Sequence, residues 1–351
     1  MFGKYTLSLG LTLAAAAVFG GCGGAASAAS APHAAGFTRT SAHEAPQLGA
    51  AVNDVLLRTA GPRYVRTLLD HYRSITPEYE MEMSQLEPSR GHFTFAAADR
   101  IVAFASRHHM PVRGHTLVWD EMVPGWVLHG HWTRAQLENV LHTYITAVVS
   151  HYRGKVEEWD VVNEPLLRNG RMRQSVWERV IGPDYVRLAF RWAHAADPGA
   201  RLFLNEFGAE WNDPKERALF QLVSGLRSAG VPIGGVGFQA HLLLDAHPPQ
   251  AELTGVLRRF AGLGLRLEVT ELDVRAGGSA PLARRMADEA SIYRTVAASC
   301  AAVRACARVT TWGVTDAATW IGTANRPLPF DARYRAKPAW FGLRAGLTPR
   351  G

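Results

Sequence analysis

Two glutamates stand out by where they fall in the chain. Glu164 ends the run Trp159-Asp160-Val161-Val162-Asn163-Glu164, and Glu271 comes after Glu268-Val269-Thr270. Each comes directly after a short, largely apolar and β-branched stretch of the kind that forms a buried strand. A carboxyl group at such a strand end is only partly hydrated. One glutamate so placed reads as a salt-bridged structural residue. Two of them, with Asn163, Gln239, His115, His241, Asp273, Trp119, Trp312 and Trp320 at or just past other strand ends, read as a reaction centre. Cleaving a glycosidic bond needs this set, because one carboxyl must protonate the leaving oxygen while another stabilises or attacks the anomeric carbon. Indole faces supply flat apolar surfaces for sugar rings. No His, Cys and carboxylate cluster has metal-ligand spacing, so no metal is expected. The glycines of 230–237 lack a dinucleotide-binding spacing, and no cofactor is expected.

Strand ends converge on one mouth only if the strands run in parallel. The hydrophobic pattern places strands at Leu48–Val52, Ser74–Thr76, Val112–Thr116, Glu158–Val162, Arg201–Asn205, Gly235–Gln239, Arg266–Thr270 and Val309–Gly313. Helical patterns lie between them, at Ala97–His108, Arg134–Tyr152, Tyr185–Ala196, Glu216–Ala229 and Pro281–Ala302. Eight strands alternating with helices predict an α/β fold, a (β/α)8 TIM barrel forming a single catalytic domain over 47–351. The composition agrees with a folded chain: of 351 residues 47% are hydrophobic and 20% charged, which excludes the disordered classes. The net charge of +7 invites a nucleic-acid reading. All but four of the 38 basic residues are arginines, scattered without runs or interleaved aromatics, so nucleic acid is not an expected partner.

Residues 1–21 read as a signal peptide, with Lys4 before an apolar stretch from Leu7 to Phe19 that is too short to span a bilayer. Its end, Val18-Phe19-Gly20-Gly21-Cys22, resembles the lipobox of bacterial lipoproteins, which makes Cys22 the expected lipidation site and the membrane a partner through a lipid anchor. Phe19 departs from the aliphatic residue usual there, and ordinary cleavage farther along would leave a periplasmic or secreted protein. Either way the chain is expected to be exported. Residues 22–46, rich in Ala, Gly and Ser, read as a flexible tether.

From about 47 to 345 the sequence resembles glycoside hydrolase family 10, the endo-β-1,4-xylanases. The matching stretches are Thr76-Pro77-Glu78, Glu87-Pro88 with Phe95 and Asp99, Arg113 to Trp119, Trp159 to Pro165, Gly237 to His241 and Thr270 to Asp273. Trp312-Gly313-Val314 with Asp316 and Trp320, Phe330-Asp331 and Lys337-Pro338 complete the series in family order. The resemblance implies a retaining endo-β-1,4-glycanase acting on xylan, with Glu164 as acid/base and Glu271 as nucleophile. It further implies that His241 supports Glu271 while Asp273 orients the imidazole. Asn163 would hold the sugar 2-hydroxyl; Gln239, His115, Trp119, Trp312 and Trp320 would line the subsite. The family commonly carries a disulfide where Cys300 and Cys306 stand; two buried free thiols are the alternative, but in an exported chain a bridge is expected.

The departures from the family cluster at the glycone side. Tyr79, Glu82 and Met83 stand where an amide, a lysine and a tryptophan are usual, and Asp120 and Met122 come after Trp119 in place of His and Gln. Phe207 stands for a usual Tyr. Tyr79 and Glu82 are therefore expected to mark an altered glycone subsite, unless Glu82 pairs with a nearby arginine and touches no substrate. The sequence thus leaves three readings: a monomeric xylanase, a hydrolase of another β-linked polysaccharide or exopolysaccharide, or a carbohydrate-binding envelope lipoprotein on a decayed barrel.

Overall fold

The computed structural model describes residues 45–348. The leader, Cys22 and nearly all of the tether lie outside the described residues. Among the described residues nine strands form: β1 Gln47–Val52, β2 Ser74–Pro77, β3 Arg113–Gly114, β4 Glu158–Asn163, β5 Arg201–Glu206, β6 Gly235–Phe238, β7 His241–Leu243, β8 Arg266–Arg275 and β9 Cys306–Thr311. Their order is β2-β1-β9-β8-β6-β5-β4-β3, with every pairing parallel. A bridge between Ile75 and Val112 brings β2 to β3, and the eight-stranded (β/α)8 barrel is formed.

The outer helices arise from local sequence. Arg134–His151 begins at Thr133, whose hydroxyl accepts from the Gln136 N–H while the Gln136 side chain accepts from the Thr133 N–H. That capping box satisfies two otherwise free donors. Leu137, Val140, Leu141, Tyr144, Ile145 and Val148 then recur at helical spacing and bury one face against the barrel. Pro214–Ser228 starts equally clearly, from an Asp213 cap with proline in the first turn. The helix boundaries fall within two residues of those expected.

The strands differ in two informative places. β3 is two residues long rather than the expected Val112–Thr116. Gly114 packs so tightly on Trp159 that an added Cβ would lie 2.3 Å from the indole. His115 then turns to Asp160, and pairing with β4 resumes at the N–H groups of Leu117 and Val118. β8 runs on to Arg275, five residues past the expected end, because the unforeseen strand β7 pairs with its outer half in the register His241 to Asp273.

The floor of the barrel is ionic rather than apolar. Arg113 lies 3.0 Å from Glu268 and donates to both oxygens of Asp160, while Arg308 lies 2.7 Å from Glu158. All five side chains are fully buried. Cys300 and Cys306 are disulfide-bonded, joining the helix Leu282–Ala301 to the start of β9. After β9 a long loop carries Trp312 and Trp320. It is tied down by Lys337, whose ammonium reaches Glu289 and Asp316 at 3.0 Å each and the Leu328 carbonyl at 2.7 Å.

Candidate active site

Regular alternation would not bring the observed side chains together; bulges do. Along β4, Glu158 and Asp160 point inward to the arginines of the floor. The register with β5 shifts between Asp160 and Val162, and the next inward residue is Asn163. In β8 the register with β9 shifts between Val269 and Leu272, so Glu268 and Thr270 face inward and then Glu271 and Asp273 do. An extra residue in one strand reverses its side-chain phase and re-aims the residues beyond it. Glu164 comes next to Asn163 with φ of +52°, a left-handed conformation uncommon outside glycine, and its N–H donates to the Asn205 carbonyl at 3.0 Å. Adjacent residues thus reach the same mouth.

A line of amides links the two carboxyl groups. Gln239 Nε2 donates to Glu164 Oε1 at 3.2 Å and to Asn163 Oδ1 at 3.1 Å. Asn205 Nδ2 donates to the same Asn163 oxygen at 2.9 Å and to Glu271 Oε1 at 2.6 Å. The Asn205 oxygen is itself held by the Thr270 hydroxyl at 2.7 Å. Asn163 Oδ1 therefore receives two donors. Its Nδ2 has no acceptor among the described residues and can donate to a hydroxyl of a bound sugar.

The other oxygen of Glu271 faces His241 Nε2 at 3.0 Å, and His241 Nδ1 lies 3.1 Å from Asp273 Oδ1. Trp320 donates its indole N–H to the second Asp273 oxygen at 2.7 Å, although the ring is 48% exposed. Burial opposes charge on His241, but Asp273 and Glu271 on either side push it up to about 10. An imidazolium thus sits between two carboxylates. His115 is treated similarly: burial works against its charge, yet the hydrogen bond to Asp160 at 3.0 Å and the nearby Glu271 raise it. Trp312 stands edge-on to both imidazoles, 5.1 Å from His115 and 6.2 Å from His241 between ring centres, and Trp119 lies 6.4 Å from His115.

The expected residues therefore gather around one mouth, while the two glycone-side candidates part company. Tyr79 is 40% exposed. Glu82 is 1% exposed, has no ion-pair partner within 4 Å among the described residues and leaves Oε2 without a hydrogen bond. The arginine that could have paired with it is not there. Burial first, then the charges of Glu80, Glu271, Glu78 and Glu121, push its carboxyl well above the ordinary range.

Four residues not assigned a role from sequence belong to the site. Asn205 touches Glu271; Asp160 holds His115; Arg173 reaches Glu164 at 3.3 Å. Glu206, fully buried and 2.9 Å from Lys215, accepts the Leu166 N–H beside Glu164, and burial pushes it up to about 7 against the pull of that lysine. Asn205 had a signal, since it lies on a strand at the level of the other candidates, whereas Asp160 lies deeper inside β4 and had none. Arg173 sits in a loop and Lys215 in the first turn of a helix, and nothing local marks either.

Comparison with known proteins gives a consistent result. The family model described as Glycosyl hydrolase family 10 matches residues 38–345. The chain is 37% identical over 292 residues to Endo-1,4-beta-xylanase 1 of Humicola insolens, covering 82% of this chain and 68% of that protein. It is 36% identical over 309 residues to Exoglucanase XynX of Acetivibrio thermocellus, covering 84% of this chain but only 28% of that much longer protein. The structure resembles xylanase 10B from Thermotoga petrophila in complex with xylobiose, with a TM-score of 0.84, 32% identity and coverage of 89% and 98% of the two chains.

Proposed function

The chain belongs to glycosyl hydrolase family 10 and is a glycosidase; from that premise we propose that it hydrolyses β-1,4-xylosidic bonds within xylan. In the family's retaining, double-displacement reaction one carboxyl attacks the anomeric carbon while the other protonates the departing oxygen, and water then reverses the exchange. Glu271 is the attacking group in this reading. Its two oxygens are held by Asn205 and the His241 imidazolium, which fixes one lone pair toward the sugar. Glu164 is the acid and then the base. Asn163 donates to the 2-hydroxyl, a contact that counts for rate to the degree that it tightens in the transition state.

The observation that carries the reading is the amide line from Glu164 through Gln239, Asn163 and Asn205 to Glu271. It holds two carboxyl groups on different strands in one frame, which two-carboxylate chemistry requires. Trp119, Trp312 and Trp320, with His115, wall the subsite. The complete set argues against a decayed, binding-only barrel.

The glycone end supports a refinement of substrate. An exposed Tyr79 and a buried Glu82 with no cation within 4 Å among the described residues stand where the family usually has a polar grip, so we read the preference as a modified or substituted β-glycan alongside plain xylan. Assaying plain, arabinosylated and glucuronated xylans and other β-glycans, with products read by mass spectrometry and Glu271→Ala as blank, tests both statements. Xylo-oligosaccharides absent from the blank support the xylanase; release only from another glycan overturns xylan as substrate.

For location, the reading is an exported monomer anchored in the cell envelope through a lipid on Cys22. A disulfide at Cys300–Cys306 fits an oxidising compartment. Loss of the lipid mass and of membrane association in Cys22→Ser is the expected result; a wild type without lipid overturns it.

A further inference from the structure

Arg173 is the cation in contact with Glu164, and a short hairpin brings it there. After Pro165 the chain folds back on itself: Leu166 bridges Met172, and the Leu167 N–H donates to the Arg171 carbonyl at 2.8 Å. Gly170 turns the hairpin at φ of +80°, where a Cβ would also meet the Pro214 carbonyl at 2.8 Å. The Arg173 N–H then donates to the Pro165 carbonyl at 2.7 Å. Its guanidinium returns to Glu164 twice, with Nε 3.0 Å from the backbone carbonyl and Nη2 3.3 Å from Oε2. Arg173 has no other carboxylate within 4 Å among the described residues.

The remaining charges around Glu164 are mostly negative. Glu121, from the loop after Trp119, lies near both Glu164 and Arg173. Glu206, from β5, bears on Glu164 as well and is largely offset by Lys215. Glu271 lies across the mouth with its charge already met by His241. A proton leaving Glu164 therefore creates a carboxylate among carboxylates, and the guanidinium in contact is that of Arg173.

We infer that Arg173 is a positioning residue that takes up the charge of Glu164 as its proton leaves in the first half-reaction. The inference rests on the reading of Glu164 as the acid. In that step a Glu271 oxygen forms its bond to the anomeric carbon, the bond from that carbon to the leaving oxygen breaks, its electron pair goes to that oxygen, and the Glu164 proton moves there too. Glu164 becomes anionic while Glu271 becomes a neutral ester. An Arg173 contact that strengthens along this path lowers the barrier, because it is stronger in the transition state than before it. In the second half-reaction water gives its proton to Glu164, so the same contact weakens and offers no acceleration.

That asymmetry between the two half-reactions can be measured. The full chain is assayed on xylan, whose sugar leaving group needs the proton, and on an aryl β-xylobioside whose activated phenolate leaves without one. In Arg173→Met, kcat/KM on xylan falls about tenfold, while kcat and kcat/KM on the aryl glycoside stay within about twofold. Arg173→Lys restores most of the loss on xylan. If kcat on the aryl glycoside falls in step with kcat/KM on xylan, Arg173 merely holds the loop and the inference is overturned. It is overturned equally if xylan turnover is unaffected. A wild type inert on both substrates removes the xylanase reading and the inference with it, which separates the two failures.

Discussion

The floor and the mouth of this barrel both bury carboxylates, and they pair them differently. On the floor Glu158 is met by Arg308 at 2.7 Å, Arg201 at 3.1 Å and Arg266 at 3.2 Å, with Arg113 at 3.7 Å. Against the cost of burial, those arginines hold its carboxyl below the ordinary range. On the loop after β2, Glu78, Glu80 and Glu82 have no cation within 4 Å among the described residues. Glu78 accepts from Asn53 at 2.8 Å and Glu80 from the Asp54 N–H at 2.6 Å, and all three carboxyls are raised, with burial the leading cause. The floor sets its charges against one another and fixes strands. The mouth holds more acidic side chains than cations to meet them, with His241 and Arg173 beside the two reacting carboxyls, in the place where protons and bonds must move.

Under that division, a mouth charge and a floor charge fail differently. Glu271→Gln is expected to lower turnover by about four orders of magnitude or more, as loss of a reacting group does. Its melting temperature should stay within about 4 °C of wild type. Turnover comparable to wild type would assign the attack to another residue. Arg308→Met should do the reverse. Removing Arg308 takes the shortest partner from Glu158 while Arg201, Arg266 and Arg113 stay, and Glu268 keeps Arg113 and Arg266. The weakened network costs up to about 3 kcal/mol of stability, read by denaturant unfolding. At temperatures where the variant is folded, its kcat should remain near wild type. A stable but inactive Arg308→Met would erase the boundary between floor and mouth.

A smaller effect tests how the mouth loop joins the site. Trp320 both walls the subsite and donates to Asp273, and Trp320→Phe keeps most of the wall while removing the donor. A hydrogen bond to a charged group at a partly exposed position predicts a loss of about fivefold to tenfold in kcat/KM with little change in stability. No loss would leave the indole N–H without a part in holding Asp273 and His241.

The same boundary divides the features legible in the sequence from those that were not. The barrel, its eight main strands and the candidates at their ends were legible because a strand buried on both sides writes a short apolar run, and a polar residue at its end breaks that run visibly. The floor was not. Glu158, Asp160 and Glu268 lie inside the strands themselves, and an arginine such as Arg308 in a strand looks like a surface residue until its partners, 150 residues away for Glu158, are brought to it. The bulges at Val161 and before Leu272 were equally silent, since a one-residue slip in register depends on the neighbouring strand. Strand β7 is three residues long and shares no pattern with the others. Glu82 was legible as a departure but not as a buried group, because the loop's own sequence, Glu-Tyr-Glu-Met-Glu, reads as solvated.

Glu82 gives the finest test, because the contrast with Glu158 fixes the sign of a pH effect. Below the ordinary value of 4.5, Glu82 is protonated in both the folded and the unfolded chain and carries no cost. As pH rises past 4.5 the unfolded chain releases the proton, while the folded chain, with a raised value, keeps it. The folded form then loses stability relative to the unfolded one. Glu158, held low, has the opposite slope: its contribution is present above 4.5 and is lost as pH falls below it. Glu82→Gln removes a titration without removing much volume. Its stability should match wild type near pH 4 and exceed it near pH 7, measured by denaturant unfolding at both pH values. A variant less stable than wild type at the higher pH would mean that the Glu82 charge is matched in solution after all. The loop would then resemble the floor, and the glycone end would have to be read as a built ion pair rather than as a buried acid without a cation.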